Sequence, residues 1–462
     1  MLPGLASIEA QLLHSLSSRH RAISALEAML SSGLRSRLAS HSPADFLRAD
    51  RLAFDATGAR IAIAGLLRVQ ERIASATAGI DQALARLDEL DALLSLPAPV
   101  GLDLSAEVDE LLARFDGAVR AAGSAFGERL LGGERAIRST GGHVLRSGAI
   151  RVLRAPHNQV DLVIDIQSLA SPPTLTMTVP PESLGQPLEM RIDGPLGSAN
   201  ITVASTDIAA LAAAIDAAAP MTGVHAAAAP GGVTLTTPIP GSASTITAIP
   251  ISGAAALICG PAGSTATGSD AAAVCSGGFV EARGNVLRVV RHGVLLEVDA
   301  RGTGQISITT LDGGLLVRRS ATADASLDAR LGIPLLLADQ IGFDGLGRLS
   351  DLRSDGALPA STSDPVLTRA IVNAARNTLL SARNAIADFE ASIVDRDRMA
   401  LEALLETLDA AEGRIRLADL PTTAAALAHQ RYGAALAQSA LEALFAQSTR
   451  LLALLPAPNG PT

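Results

Sequence analysis

The residue types that most often carry catalysis or bind metals are sparse in this chain, and their spacing suits neither task. The eight histidines are His14, His20, His41, His143, His157, His225, His292 and His429. None is paired as His-Glu-x-x-His, so a zinc peptidase helix is excluded. Cys259 and Cys275 form no Cys-x-x-Cys and are too few for a disulfide-framework fold. Asp344-Gly345-Leu346-Gly347-Arg348 lacks the ligand pattern of a calcium loop. Arg301-Gly302-Thr303-Gly304 has no helix after it, so it reads as a strand turn and not as a dinucleotide fingerprint. Asp395 and Asp397 alternate with Arg396 and Arg398, the pattern of a solvated helix face. All 37 basic residues are Arg. Without lysine there is no Walker phosphate loop, no Schiff base and no lysine general base. The expectation is a protein that is not an enzyme, with no catalytic residues, no cofactor and no metal.

Composition points the same way. Hydrophobic residues make up 48% of 462, yet only eight Phe and one Tyr are aromatic, with no Trp. Small aliphatics on this scale suit long, closely packed helices better than an aromatic-lined pocket. The length allows two to four domains. A net charge of -9 and a pI near 5.4 argue against nucleic-acid binding, and no basic run offsets them. No segment reaches the roughly 18 uninterrupted apolar residues of a membrane helix. Met1-Leu2-Pro3-Gly4-Leu5 has no basic or contiguous apolar region, so no cleaved signal peptide is expected.

Three regimes position these residues. Residues from about 5 to 131 read as helix, about 140 to 355 as strand-rich, and about 364 to 455 as helix again. Leu5, Ile8, Leu12, Leu16, Ile23, Leu26 and Leu30 step by three, four or seven, which places them on one stripe. Ser31-Ser32-Gly33 breaks it, and Ser42-Pro43-Ala44-Asp45 starts a new helix. Leu66, Val69, Ile73, Ala76, Ile80, Ala83, Leu87, Leu90 and Leu94 then form a seam that Pro97 and Pro99 stop.

At the other end Asp364-Pro365 opens a helix running to a break near Gly413. A last segment after Pro421 carries Leu427, Ala434, Leu441, Leu444, Leu451 and Leu455 in register. Such stripes serve either as intramolecular core or as a surface for other subunits. In the middle, Leu188–Ile192, Ile201–Val203, Val233–Thr237, Val286–Val290, Val294–Val298 and Ile306–Leu311 read as strands, with a short helix over Asp207–Ala218. The fold class expected is α+β: long N- and C-terminal helices pair as a coiled-coil stalk, with a strand-rich α+β insertion between them.

Motifs at both ends carry a resemblance. Leu30-Ser31-Ser32-Gly33-Leu34-Arg35, then Pro43-Ala44-Asp45 and Ala49-Asp50-Arg51-Leu52, resembles the N-terminal signature of bacterial flagellins. Ala411-Glu412-Gly413-Arg414-Ile415-Arg416-Leu417-Ala418-Asp419-Leu420 is similar to the family's joint before its last helix. Gln447 to Leu455 is similar to its ending. Phe126-Gly127-Glu128-Arg129-Leu130-Leu131-Gly132-Gly133 resembles its turn into the β region, and 189–238 its inserted motif. These pieces cover about 250 residues in family order. The chain departs from the family in three ways. Ala, Leu and Arg stand where Asn, Gln and Lys are usual, His41-Ser42 replaces paired acids, and two cysteines are present.

The resemblance implies a subunit of the flagellar filament, exported unfolded through the flagellar secretion channel and located outside the cell. Its partners would be further copies of itself, an export chaperone, and cap and junction proteins, with no nucleic acid and no membrane insertion. The division expected is 1–40 with 415–462 as terminal coiled-coil core, 41–140 with 360–414 as helical stalk, and 141–359 as outward insertion. Leu5, Ile8, Leu12, Leu16, Ile23, Leu26, Leu30, Leu427, Ala434, Leu441, Leu444, Leu451 and Leu455 would be the polymerisation core. A hook–filament junction protein of the same superfamily shares the N-terminal pattern and is the alternative; the ending at 447–455 places flagellin first. Outside the cell, Cys259 and Cys275 would meet an oxidising environment, and a disulfide closing a mobile loop at 260–274 would contribute about 3 kcal/mol. The competing reading is two small apolar fillers.

Overall fold

The computed structural model describes residues 3–35, 43–95, 104–142, 145–319, 328–343 and 345–453. The fold is α+β, with long helices towards both ends of the chain and a strand-rich region between them in sequence. The helices are α1 (Pro3–Ser32), α2 (Pro43–Ser95), α3 (Leu104–Ala121), α4 (Ile208–Ala217), α5 (Ala219–Thr222), α6 (Ala255–Cys259), α7 (Pro365–Phe389), α8 (Arg396–Arg416) and α9 (Leu420–Ala453). A π-helical segment, Glu390–Asp395, joins α7 to α8. Two compact units result, one of Met1–Ile61 with Ala400–Thr462 and one of Ala62–Met399.

In the larger unit the α2 seam is core. Leu66, Ile73, Ile80, Leu87 and Leu90 are almost fully buried, as are Leu112 and Phe115 of α3 and Val372, Leu379 and Ile386 of α7. Gly79 lets α2 come close to the end of α3, because a Cβ there would lie 2.5 Å from Ala122 Cβ. An antiparallel ladder ties α2 to α7: Asp81 to Arg383 at 2.7 Å, Asp88 to Arg376 at 2.6 Å, and Asp91 to Arg369 at 2.9 Å. The steps are seven and three residues on α2 and seven and seven on α7, spacings that keep the pairs on one face of each helix. Asp364 caps α7 by accepting Val366 N–H at 2.9 Å, the start that Asp-Pro foretells.

The strands in chain order are β1 (Ile137–Gly141), β2 (Ser147–Pro156), β3 (Asp161–Ser168), β4 (Thr174–Thr178), β5 (Leu188–Gly194) and β6 (Gly197–Val203). Then come β7 (His225–Ala229), β8 (Gly232–Thr236), β9 (Thr245–Gly253), β10 (Ser264–Thr267), β11 (Ala272–Cys275) and β12 (Phe279–Arg283). Next are β13 (Val286–Arg291), β14 (Val294–Ala300), β15 (Gly304–Gly313), β16 (Leu315–Val317) and β17 (Ala329–Leu331). The main antiparallel sheet has the order β11-β3-β15-β1-β2-β14-β13-β12, with β17 joining β2 and β16 joining β17. A smaller module contains the sheets β10-β9-β5-β6 and β4-β8-β7, closed by α4 and α6 over Met190, Ile192, Leu211, Ile215 and Leu235. Within it, β5, β6, α4 and the β7–β8 hairpin follow the strand–strand–helix–hairpin order of 189–238.

The cysteine expectation is corrected. Both thiols are free and buried. Cys259 ends α6 in the core of the small module, where its thiol donates to Ala255 O at 3.0 Å. Cys275 lies in β11 opposite Ile164, in the core of the main sheet. Residues between them do not form a mobile loop. They pair as β10 with β9 and as β11 with β3, in two different sheets, and this holds the cysteines in separate cores. Burial pushes the Cys259 thiol up, so it is an unreactive filler.

Candidate assembly surface

The smaller unit brings together the two motif segments that lie furthest apart in the sequence. Gly33 ends α1 with φ of 69°, and its N–H returns to Met29 O at 2.8 Å, a left-handed glycine helix end. The Ser32 hydroxyl donates to Ala28 O at 2.7 Å and accepts Leu34 N–H at 3.3 Å. Leu34 then forms an antiparallel bridge with Leu417. Arg35 N–H donates to Arg416 O at 2.7 Å, and Ala418 N–H to Gly33 O at 3.0 Å. This pairing also corrects the expected break near Gly413. Helix α8 continues to Arg416 and stops where its backbone is captured by the Leu34 turn.

From this joint α1 and α9 run back antiparallel. Arg19 donates to Gln430 at 3.3 Å and lies against Gly433, where a Cβ would come within 2.0 Å of its guanidinium. Glu27 pairs with Arg431 at 2.5 Å, Arg60 with Asp409 at 2.8 Å, and Arg416 with Glu412 at 3.1 Å. These pairs are largely solvent-facing and contribute about 0–1 kcal/mol each, enough for register but not for a stable unit.

Apolar burial does not make up the difference. The buried apolar residues described in this unit are Ala49, Ala56, Ala59, Leu401, Leu427 and Ala434, mostly alanines. Of the residues expected as polymerisation core, Leu12, Leu16, Ile23, Leu26, Leu30, Leu441 and Leu444 are half-buried along the α1–α9 pair, and Ile8 is exposed. The side chains of Leu5 and Leu451 lie outside the described residues, as does Leu455 entirely.

A second apolar stripe escaped the sequence reading. Leu47, Phe54 and Ile61 step by seven along α2 and are 66%, 78% and 69% exposed. Tyr432, Leu436 and Phe445 stand out from α9, and Leu13 from α1. The heptad spacing of 47, 54 and 61 was the available signal, masked by the neighbouring alanine seam at 49 and 56. Large apolar side chains repeated on one helix face and exposed to water make this face a candidate interaction surface.

Among the described residues no group of three His, Cys, Asp or Glu side chains is placed to hold a metal ion. Among the described residues, His225 is the one histidine with carboxylate partners. Its ring spans Asp216 at 3.0 Å and Asp364 at 2.8 Å, which fastens the small module to the start of α7. No described helix is long and apolar enough to cross a membrane.

No protein-family profile matches the chain, and no curated protein matches it. Among solved structures it is similar to the D1-D2-D3 domains of the flagellar cap protein FliD from Escherichia coli, with 16% identity over 46% of this chain and a TM-score of 0.29. The chain spans 64% of that fragment, under two thirds of its length. It is also similar to FliD (HAP2) from Pseudomonas aeruginosa, at 15% identity over 37% of this chain and 85% of that one, with a TM-score of 0.27. Flagellar hook associated protein-3 from Legionella pneumophila aligns over 84% of this chain and 98% of its own, at 10% identity and a TM-score of 0.26. These solved structures are flagellar cap and hook-associated proteins.

Proposed function

We propose that the chain is a non-enzymatic structural subunit of the bacterial flagellum, located outside the cell, and that it assembles with copies of itself through its terminal helical unit. The observation that carries this reading is the Leu34–Leu417 joint together with the exposed stripe Leu47, Phe54 and Ile61. The joint links the two flagellin-like motif segments, and the stripe is apolar surface that the unit leaves in water. A helical array of identical subunits covers such surface, and a head-to-tail contact that does not close continues as a filament or a ring stack.

Within the flagellum we place the chain first as a hook–filament junction protein. Replacement of the flagellin acids by His41-Ser42 and loss of Asn, Gln and Lys from the helices set it apart from a main filament subunit. The flagellin-like ending at 447–455 supports the second reading, a filament subunit. Residues 1–40 with 415–462 would be the assembly core and 141–359 the outward part, with an export chaperone and cap proteins as further partners. Seeded elongation followed by negative-stain microscopy separates the readings. A junction protein stops after one or two subunit layers, and a filament subunit grows micrometre fibres. A protein that adds to neither hook nor filament ends and stays monomeric at high concentration would contradict both.

A further inference from the structure

Between α7 and the main sheet, beside the small module, lies a cleft of about 620 Å³. Its floor is a row of charges. Glu281 of β12 faces Arg288 of β13, Arg288 faces Glu297 of β14, and Glu297 faces Arg151 of β2. All four side chains line the cleft, so one row of the sheet presents alternating acid and base at the cross-strand spacing of about 4.8 Å. The deep end of this row is satisfied internally: Arg151 pairs with Asp299 at 2.8 Å, and Ser381 donates to Glu297. The facing wall is helical. Asn373, Asn377, Ser381 and Asn384 recur at helical spacing and line the same cleft.

Two buried polar groups in the lining have no hydrogen-bond partner. One is the hydroxyl of Ser244, which is 2% exposed, and the other is Nε of Arg151, whose carboxylate neighbour on Glu297 is 3.7 Å away. A polar group left unbonded at such depth is costly unless something enters to meet it. Asn377 and Asn384 are exposed along the helical wall, so their side-chain amides can bond to a ligand or to water, and Ile239, Pro240 and Phe343 add apolar surface to the lining.

We propose that this cleft is a binding site for neutral sugar units of a glycan, a role independent of the assembly reading. The volume falls in the range of small-ligand sites, roughly 300–1,000 Å³. The four charges of the floor balance one another, and Asp299, paired with Arg151, offsets the further Arg283 of the lining. An anion would meet Glu281 and Glu297, and a cation would meet Arg151, Arg283 and Arg288. A hydroxyl both donates and accepts, so a row of hydroxyls can bond to amides, guanidinium groups and carboxylates together without breaking the existing pairs. The apolar rim meets the C–H faces of the ring.

The test uses the full-length protein on an array of immobilised neutral and acidic oligosaccharides, followed by calorimetry with the neutral oligosaccharide retained most strongly. Neutral glycans should be retained over acidic ones. The double variant Asn377→Ala/Asn384→Ala should lose about tenfold or more in affinity, the equivalent of one or two hydrogen bonds, with unchanged circular dichroism and melting temperature. Ser244→Ala should weaken binding in the same direction. Retention of no neutral glycan would mean that water alone fills the cleft and would overturn the proposal. So would a preference for acidic glycans, or undiminished binding by the double variant.

Discussion

Leu34 and Leu417, separated by almost the whole chain, face each other across one antiparallel bridge, and the backbone on either side of each is hydrogen-bonded to the other. The bridge gives physical content to two short motifs. Ser32 and Gly33 end α1 so that Leu34 is extended, and the strand-like step at Leu417 interrupts the helix between α8 and α9. A continuous helix through 417 could not make this pairing, because its amide and carbonyl groups would be bonded along the helix.

Gly33→Ala should weaken the joint. No atom lies within 4 Å of the added methyl, so the effect comes only from φ of 69°. The expected cost is about 1 kcal/mol. It would be read as a lower midpoint in the helical circular dichroism melt, with Gly65→Ala as control. Gly65 is mid-helix in open space, and Ala there should stabilise by up to about 1 kcal/mol. Equal effects of both would show that the Gly33 conformation is not needed.

Gly79→Ala should behave in the opposite way to Gly65→Ala, although both glycines lie in α2. The new Cβ would meet Ala122 Cβ at 2.5 Å, and separating the packed elements should cost about 1–3 kcal/mol. Denaturant titration of the two variants measures the difference, and a stabilised Gly79→Ala would refute the close approach.

The α2–α7 ladder should be graded by burial. Arg369 is 10% exposed at its side chain, pairs with Asp91 and also donates to Pro220 O at 2.7 Å. Arg369→Met should cost about 1–3 kcal/mol, because it removes the donor to Pro220 O and leaves Asp91 only its longer contact to Arg376 at 4.0 Å. Asp88 is 68% exposed, and Asp88→Asn should change stability by less than about 1 kcal/mol. Similar losses from both, in chemical unfolding at neutral pH, would mean that the ladder does not follow burial.

Much of the helical architecture was legible because its signal is periodic. The α2 seam from Leu66 to Leu90 could be read as a three-and-four step, and it is core. What escaped depends on which neighbour covers a face. Every residue of β14 is buried, including Glu297 and Asp299, because α7 lies over the side of the sheet that would otherwise face water. No alternation in Leu295-Leu296-Glu297-Val298-Asp299 could reveal that. The cysteine spacing gave no clue that the chain between them enters two sheets. The stripe at Leu47, Phe54 and Ile61 was overlooked beside the alanine seam, since both repeat by seven on the same helix.

Acid should loosen the loop that borders the cleft. Asp270 accepts Ser242 N–H at 2.9 Å and Gly284 N–H at 2.7 Å, and it is also bonded by the Ser242 hydroxyl. Burial pushes this carboxyl up, but those bonds and the nearby Arg283 charge outweigh it, and the net value is below the usual Asp range. A carboxyl held low in the folded state adds stability that is complete above its unfolded value and is lost as pH falls through the folded one. Asp270→Asn should therefore be less stable at neutral pH and show a flatter decline into acid. Parallel stability profiles for variant and wild type would rule the clamp out.

The central claim is that the terminal unit assembles with copies of itself through the apolar face it leaves uncovered. Phe54→Glu/Ile61→Glu places charge on that face at positions exposed in the single chain, so the fold should be retained. The direct measurement is sedimentation velocity of wild type and variant across a concentration series, with electron microscopy of the heavy fractions. Wild type should form large ordered assemblies as concentration rises, while the variant stays monomeric, with the melting temperature that wild type has at low concentration. Assemblies formed equally by the variant, or a wild type that remains monomeric throughout, would contradict the account.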